Sequence, residues 1–184
     1  MTGTIRVLLA DDHRIVREGL KQVLADAPEI EVRAEATSGA EALEAVRSLG
    51  GPPALHVVLL DIAMPDGDGM DVLQQLRKDW PQMPVLMLST YPERQYAVRC
   101  IKLGAAGYLH KGADPDDMIA AVRKVAAGGR YVTPATAEAL ANAVGSASAG
   151  VGLEALSHRE HQVFRLLTTG HNVSEIGARL QLAP

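Results

Sequence analysis

Three apolar runs of strand length each end in a polar residue, and helical patterns separate them. Ile5–Ala10 runs into Asp11-Asp12, His56–Leu60 into Asp61, and Val85–Leu88 into Ser89. A continuous apolar run of this length marks a strand buried on both faces, as in a parallel sheet sandwiched between helices. Val32–Ala36 predicts a weaker strand and Gly107-Tyr108-Leu109 a short fifth one, followed by Lys111. Between them lie amphipathic patterns. Ile15, Val16, Leu20, Val23 and Leu24 fall at helical spacing. Ser38-Gly39-Ala40-Glu41 is a capping box that opens a helix through Leu49. Val72–Lys78 and Arg94–Leu103 predict two more helices, the second closed by Gly104. Asp114-Pro115-Asp116-Asp117 caps a fifth helix to about Ala127, with acids at the positive end of its dipole. Five strands alternating with five helices predict an α/β domain whose open, doubly wound parallel sheet is covered on both faces.

Such sheets bind their ligands at the carboxyl ends of the strands, where the strand order reverses. The polar residues named above all stand there. Three carboxylates meeting in one crevice repel by about 4 kcal/mol per pair at 4 Å and an effective dielectric of 20. A cation among them relieves this, and a hard oxygen ligand set with room for water suits Mg²⁺. A lysine and a hydroxyl opposite would complete a pocket for a tetrahedral anion.

Downstream, Gly128-Gly129 ends the α/β unit, and Thr133 with Pro134 opens a helix to Val144. Gly145–Gly152 has flexible-linker composition. Leu156-Ser157-His158-Arg159-Glu160 is another capping box, opening a helix to about Thr168, and Val173–Leu182 predicts a second. The organisation expected is a domain over residues 1–127, a linker over 128–152 and a partial all-helical unit over 153–184.

Charge and cysteine content narrow the function. Residues 1–127 hold 14 Lys/Arg against 18 Asp/Glu and carry the whole net charge of −4; the remaining segments balance. No basic stripe is present of the kind that phosphate-backbone binding needs. One cysteine, Cys100, excludes an internal disulfide framework and fits a reducing compartment. With no apolar signal segment and no run long enough to span a bilayer, a cytoplasmic protein with no membrane partner is expected. Cys100, among Val98 and Ile101, reads as buried packing. His158 and His161 lack a third ligand, and Asp66-Gly67-Asp68-Gly69 lacks the acid that would complete a calcium loop.

Asp11-Asp12, Asp61-Ile62-Ala63-Met64-Pro65 with Gly69, then Ser89, Tyr108 and Lys111, occur in the order and spacing of a receiver domain of a two-component response regulator. The resemblance covers residues 5–127 and implies the five-stranded flavodoxin-like receiver fold. It implies Asp61 as phosphoacceptor, with Mg²⁺ held by Asp11 (partly through water), Asp12, Asp61 and the backbone carbonyl of Ala63. Lys111 would pair with the phosphoryl group, Ser89 would donate a hydrogen bond to it, and Tyr108 would turn inward as Ser89 moves. One departure stands beside the match: many receivers carry proline after the lysine, and here it is Gly112.

Leu156-Ser157-x-Arg159-Glu160, Gly170, Ser174-Glu175-Ile176-Gly177 and Leu180 resemble the start of a LuxR-type helix-turn-helix, which places the chain near the NarL/FixJ regulators. The recognition helix would begin near Ala183-Pro184. The expectation is therefore a regulator phosphorylated by a sensor histidine kinase that dimerises on phosphorylation and is not itself an enzyme. DNA binding is expected of a longer parent, with no DNA-binding residues in these 184. A stand-alone receiver acting through protein contacts is the alternative. An aspartyl-phosphate phosphatase is disfavoured, because Ala63 stands where it needs a second aspartate.

Overall fold

A computed structural model describes residues 3–64 and 67–145. The chain divides into two compact units, Met1–Ala147 and Ser148–Pro184. The expected helix-turn-helix segment and its histidines lie outside the described residues, as do Pro65 and Asp66.

The elements run β1 (Ile5–Ala10), α1 (Arg14–Ala25), β2 (Ile30–Ala36), α2 (Gly39–Leu49), β3 (Val57–Asp61), β4 (Ala63–Met64), β5 (Gly67–Asp68) and α3 (Gly69–Asp79). Then come β6 (Val85–Ser89), α4 (Glu93–Lys102), β7 (Gly107–His110), α5 (Pro115–Ala126) and α6 (Pro134–Gly145). Five strands form a parallel sheet in the order β2-β1-β3-β6-β7. β4 and β5 make a separate two-stranded antiparallel ribbon beside it. The fold is thus the doubly wound α/β sheet that the alternating pattern predicts.

Side-chain alternation along the strands builds two cores. Leu8, Val58, Leu60, Val85, Met87 and Tyr108 face α2, α3 and α4. Val7, Leu9, Val57, Leu59, Leu86, Leu88 and Leu109 face α1 and α5. β3 and β6 are buried along their whole length, which is why they read as unbroken apolar runs. Each such Leu, Val or Met contributes roughly 1.5–3 kcal/mol on leaving water. β2 is an edge strand whose exposed Glu31, Arg33 and Glu35 dilute its apolar signal. Charges on an edge also discourage pairing with other chains.

The far edge, β7, is met by residues beyond α5. Tyr131 forms a parallel bridge with Gly107, and its N–H donates to the Ala106 carbonyl at 2.9 Å. α6 then packs on α4. The hydroxyls of Thr133 and Thr136 both donate to Oε1 of Glu93, and the Thr136 N–H donates to Thr133 Oγ1, the expected helix cap.

Local readings differ in two places. Ile15, counted on the apolar face of α1, is 88% exposed. The buried stripe follows Val16, Leu20, Val23 and Leu24 at i, i+4, i+7 and i+8, and Ile15 lies one residue off it. At α2, Ser38 Oγ accepts from the Glu41 N–H as a capping box requires. Glu41 returns its bond to the backbone and hydroxyl of Thr37 rather than to Ser38.

Candidate functional site

The strand register brings the polar residues level. Ala10 pairs with Leu60, Asp61 with Leu88, and Ser89 with His110, so β1, β3, β6 and β7 end along one rim. Backbone bonds carry the chain just past each end. The Asp11 N–H donates to Ala36 O at 3.0 Å, Ile62 N–H to Leu88 O at 3.0 Å, and Lys111 N–H to Ser89 O at 2.8 Å. The rim includes the gap between β1 and β3, where the chain leaves β1 in one direction for β2 and returns on the other side with β3. That is the topological switch point of the sheet.

Gly69 fixes the turn after Asp61. Its N–H donates to Ile62 O at 2.9 Å. A Cβ at this position would overlap the Asp61 carbonyl oxygen and approach Ile62 Cα to 2.8 Å. Only glycine lets the start of α3 come this close to the end of β3.

Asp11 and Asp61 are buried side by side, and Lys111 bridges them. Its Nζ lies 2.7 Å from Asp11 Oδ2 and 2.8 Å from Asp61 Oδ2. Burial pushes the Asp61 carboxyl up to about 6. The Lys111 ammonium pulls it back only in part, and the neighbouring Asp11 charge adds to the rise. Asp61 Oδ1 accepts from the Ala63 N–H at 3.3 Å. Asp12 is partly exposed and pairs with His13, whose Nδ1 lies 2.8 Å from Asp12 Oδ1. The His13 N–H donates to Asp11 Oδ1 at 2.8 Å.

Asp11, Asp12, His13 and Asp61 each offer one ligand atom, all within 4.8 Å of one another. Three of the carboxylate oxygens, Asp11 Oδ2, Asp12 Oδ1 and Asp61 Oδ2, are sealed from solvent, and the nitrogens within reach of them belong to Lys111 and His13. The Lys111 ammonium compensates the oxygens of Asp11 and Asp61, and His13 Nδ1 lies beside that of Asp12. Buried oxygens in this condition are costly unless a cation serves them. The donor set, mostly carboxylate oxygen, is compatible with Mg²⁺.

Ser89 is buried on the same rim, and its Oγ accepts from the Tyr91 N–H at 3.0 Å. The Tyr108 ring is already inside, 2% exposed, with its hydroxyl donating to Tyr91 O at 2.8 Å. Burial pushes its phenol up. The Tyr91 ring lies 5.1 Å from that of Tyr96. Tyr91 thus links Ser89, Tyr108 and α4.

The structure therefore brings Asp11, Asp12, Asp61 and Lys111 into one cluster, with the Ala63 backbone against it and Ser89 on the neighbouring strand end. Tyr108 lies behind this rim, its side chain hydrogen-bonded to Ser89 and to the Tyr91 carbonyl. Sequence reasoning passed over His13, although its place directly after two aspartates was a usable signal. It also passed over His110, which flanks Lys111. Asp68 caps α3 by accepting from the Met70 N–H, so this half of the Asp-Gly-Asp-Gly stretch is structural.

A response regulator receiver domain pattern matches residues 7–123. The chain is 34% identical over 181 residues to the response regulator UvrY of Escherichia coli K12, covering 98% of this chain and 81% of that protein. It is 40% identical over 180 residues to the transcriptional regulatory protein UhpA of the same strain, covering 98% and 84%. Among solved structures, a LuxR-family two-component response regulator from Aurantimonas sp. SI85-9A1 superposes with a TM-score of 0.69 at 28% identity, over 78% of this chain and 100% of that one.

Proposed function

From the premise that the chain belongs to the NarL/FixJ response regulators, the transcription-controlling members of two-component systems, we propose that Asp61 accepts a phosphoryl group from a sensor histidine kinase. The observation that carries this reading is a buried carboxylate, Asp61, held 2.8 Å from a lysine ammonium and beside two more carboxylates at the switch point of the sheet.

The Asp61 carboxyl, near 6 without a metal, is ionised at neutral pH and so presents a carboxylate oxygen as nucleophile. In the transfer, an Asp61 Oδ–P bond forms as the P–N bond of a phosphohistidine breaks, leaving an acyl phosphate. Asp11, Asp12, Asp61 and the Ala63 carbonyl would hold Mg²⁺, which when bound neutralises charge on the phosphoryl oxygens. Lys111 already touches Asp61, so its ammonium meets the charge that arrives there. Ser89 Oγ accepts from the Tyr91 N–H, and its hydroxyl, hydrogen-bonded to Tyr108 in this state, would turn to donate to a phosphoryl oxygen. Drawing Ser89 forward strains that bond. Tyr91 carries the change to Tyr108 and α4, giving a two-state element with a defined trigger. A second copy of the chain is the proposed partner of the switched form, and the cytoplasm its place of action. No helix among the described residues is long and apolar enough to cross a membrane.

Intact-mass measurement with a small-molecule phosphodonor and Mg²⁺ tests the assignment. A single phosphoryl adduct on the wild type, absent from Asp61→Asn, is expected. No adduct on the wild type, or an undiminished adduct on the variant, overturns it.

A further inference from the structure

His110 spans two loops of the rim. Its Nδ1 accepts from the Gly112 N–H at 3.0 Å, and its Nε2 lies 3.1 Å from the Thr90 carbonyl oxygen. A carbonyl only accepts, so Nε2 must carry the proton; an amide N–H only donates, so Nδ1 must not. Both bonds exist together only for the neutral ring protonated on Nε2. The ring therefore ties the segment after Lys111 to the residue after Ser89.

Gly112 makes this arrangement necessary and also permits it. Glycine leaves the backbone beside Lys111 without restraint of its own, where a proline would fix φ. Yet a Cβ at position 112 would lie 3.1 Å from Nδ1 and 3.2 Å from Cε1 of His110. The ring thus occupies space that a side chain at 112 would contest, and supplies from outside the restraint that the glycine lacks. Two backbone bonds complete the turn: Lys111 N–H to Ser89 O at 2.8 Å and Ala113 N–H to His110 O at 2.9 Å. Lys111 is the middle residue of this clamped segment, and its Nζ must reach two buried carboxylates.

Resting on the phosphoacceptor reading of Asp61, we infer that His110 is a positioning residue for phosphoryl transfer: through Gly112 and Thr90 it holds Lys111 and the Ser89 loop in mutual register. It does not touch the reacting atoms. Its exposed position means that its loss leaves no buried group unsatisfied, so variants should fold.

The test uses the full chain, acetyl phosphate and Mg²⁺, with the rate of adduct formation followed over a range of donor concentrations. In His110→Ala the maximal rate should fall about fivefold, the equivalent of one lost hydrogen bond of about 1 kcal/mol, with the half-saturating donor concentration unchanged. His110→Asn, whose amide oxygen falls where Nδ1 lies but whose shorter side chain does not replace the Nε2 bond to Thr90, should restore part of that rate. Imidazole nitrogen chemical shifts of the wild type should show Nε2 protonated and Nδ1 bare. Equal rates in His110→Ala and wild type, an Asn variant as slow as the alanine one, or a ring averaging both tautomers overturns the inference. A wild type labelled on Asp61 beside an unaffected His110→Ala removes this inference alone. A wild type that takes no phosphoryl group removes the Asp61 assignment and this inference together.

Discussion

The Lys111 ammonium lies 2.8 Å from the Asp61 carboxylate, and still the Asp61 carboxyl is pushed up to about 6, because burial outweighs the attraction and Asp11 stands close by. A carboxyl that holds its proton more tightly folded than unfolded destabilises the fold once ionised. Native protons outnumber unfolded ones between the ordinary aspartate range and about pH 6, so stability falls as pH rises through that window and levels off above it. The loss is about 3 kcal/mol at most. Asp61→Asn should therefore melt several degrees higher than wild type at about pH 7, with the difference closing toward about pH 4. Thermal unfolding of the two proteins across pH checks this; a variant no more stable than wild type at neutral pH contradicts it.

Magnesium should stabilise the wild type. At ten times its dissociation constant a ligand specific for the folded state adds about 1.4 kcal/mol, or roughly 3–5 °C in Tm for a domain of this size. Asp12→Asn should lose most of that increment, because it removes a ligand at the mouth of the cluster without disturbing the Lys111 bridge. Melting curves with and without Mg²⁺ give the answer directly.

Gly69→Ala should be among the most damaging single-atom additions to the chain. Its methyl would overlap the Asp61 carbonyl and crowd Ile62 Cα, and both neighbours are main chain that cannot swing aside. A cost above about 3 kcal/mol is expected, read from the urea midpoint. A near-normal midpoint would mean that the end of β3 is softer than its burial suggests.

Cys100 is fully buried and its thiol is pushed up to about 12, so almost no thiolate forms at neutral pH. Alkylation by a thiol reagent should proceed only as fast as the domain opens, and should accelerate with sub-denaturing urea. Prompt labelling of the native protein would count against this packing.

Much of this was legible from residue order. β1, β3 and β6 announce themselves because an interior parallel strand buries both faces, and the acids and hydroxyl at their ends follow from where the runs stop. β2 was fainter because an edge strand alternates Glu31, Arg33 and Glu35 with its apolar residues. The ribbon of β4 and β5 has two residues per strand, too few for any period to show. Ile15 misled because helical spacing alone does not reveal which of two adjacent apolar residues faces inward. His110 escaped notice for a different reason: its role depends on backbone groups of loops, and side-chain patterns carry no record of those. That Lys111 would touch both Asp11 and Asp61 could be placed by topology but not measured from it.

The bridge from Tyr131 to Gly107 means that the sheet is not finished when α5 ends. A chain cut at Ala127 would keep all five strands and the whole acidic cluster. It would nonetheless leave the outer backbone of β7 bare at Ala106 and Gly107, an invitation for a foreign strand to dock. Self-association of such a fragment would therefore report a missing seam, and should not be mistaken for the pairing proposed for the phosphorylated chain.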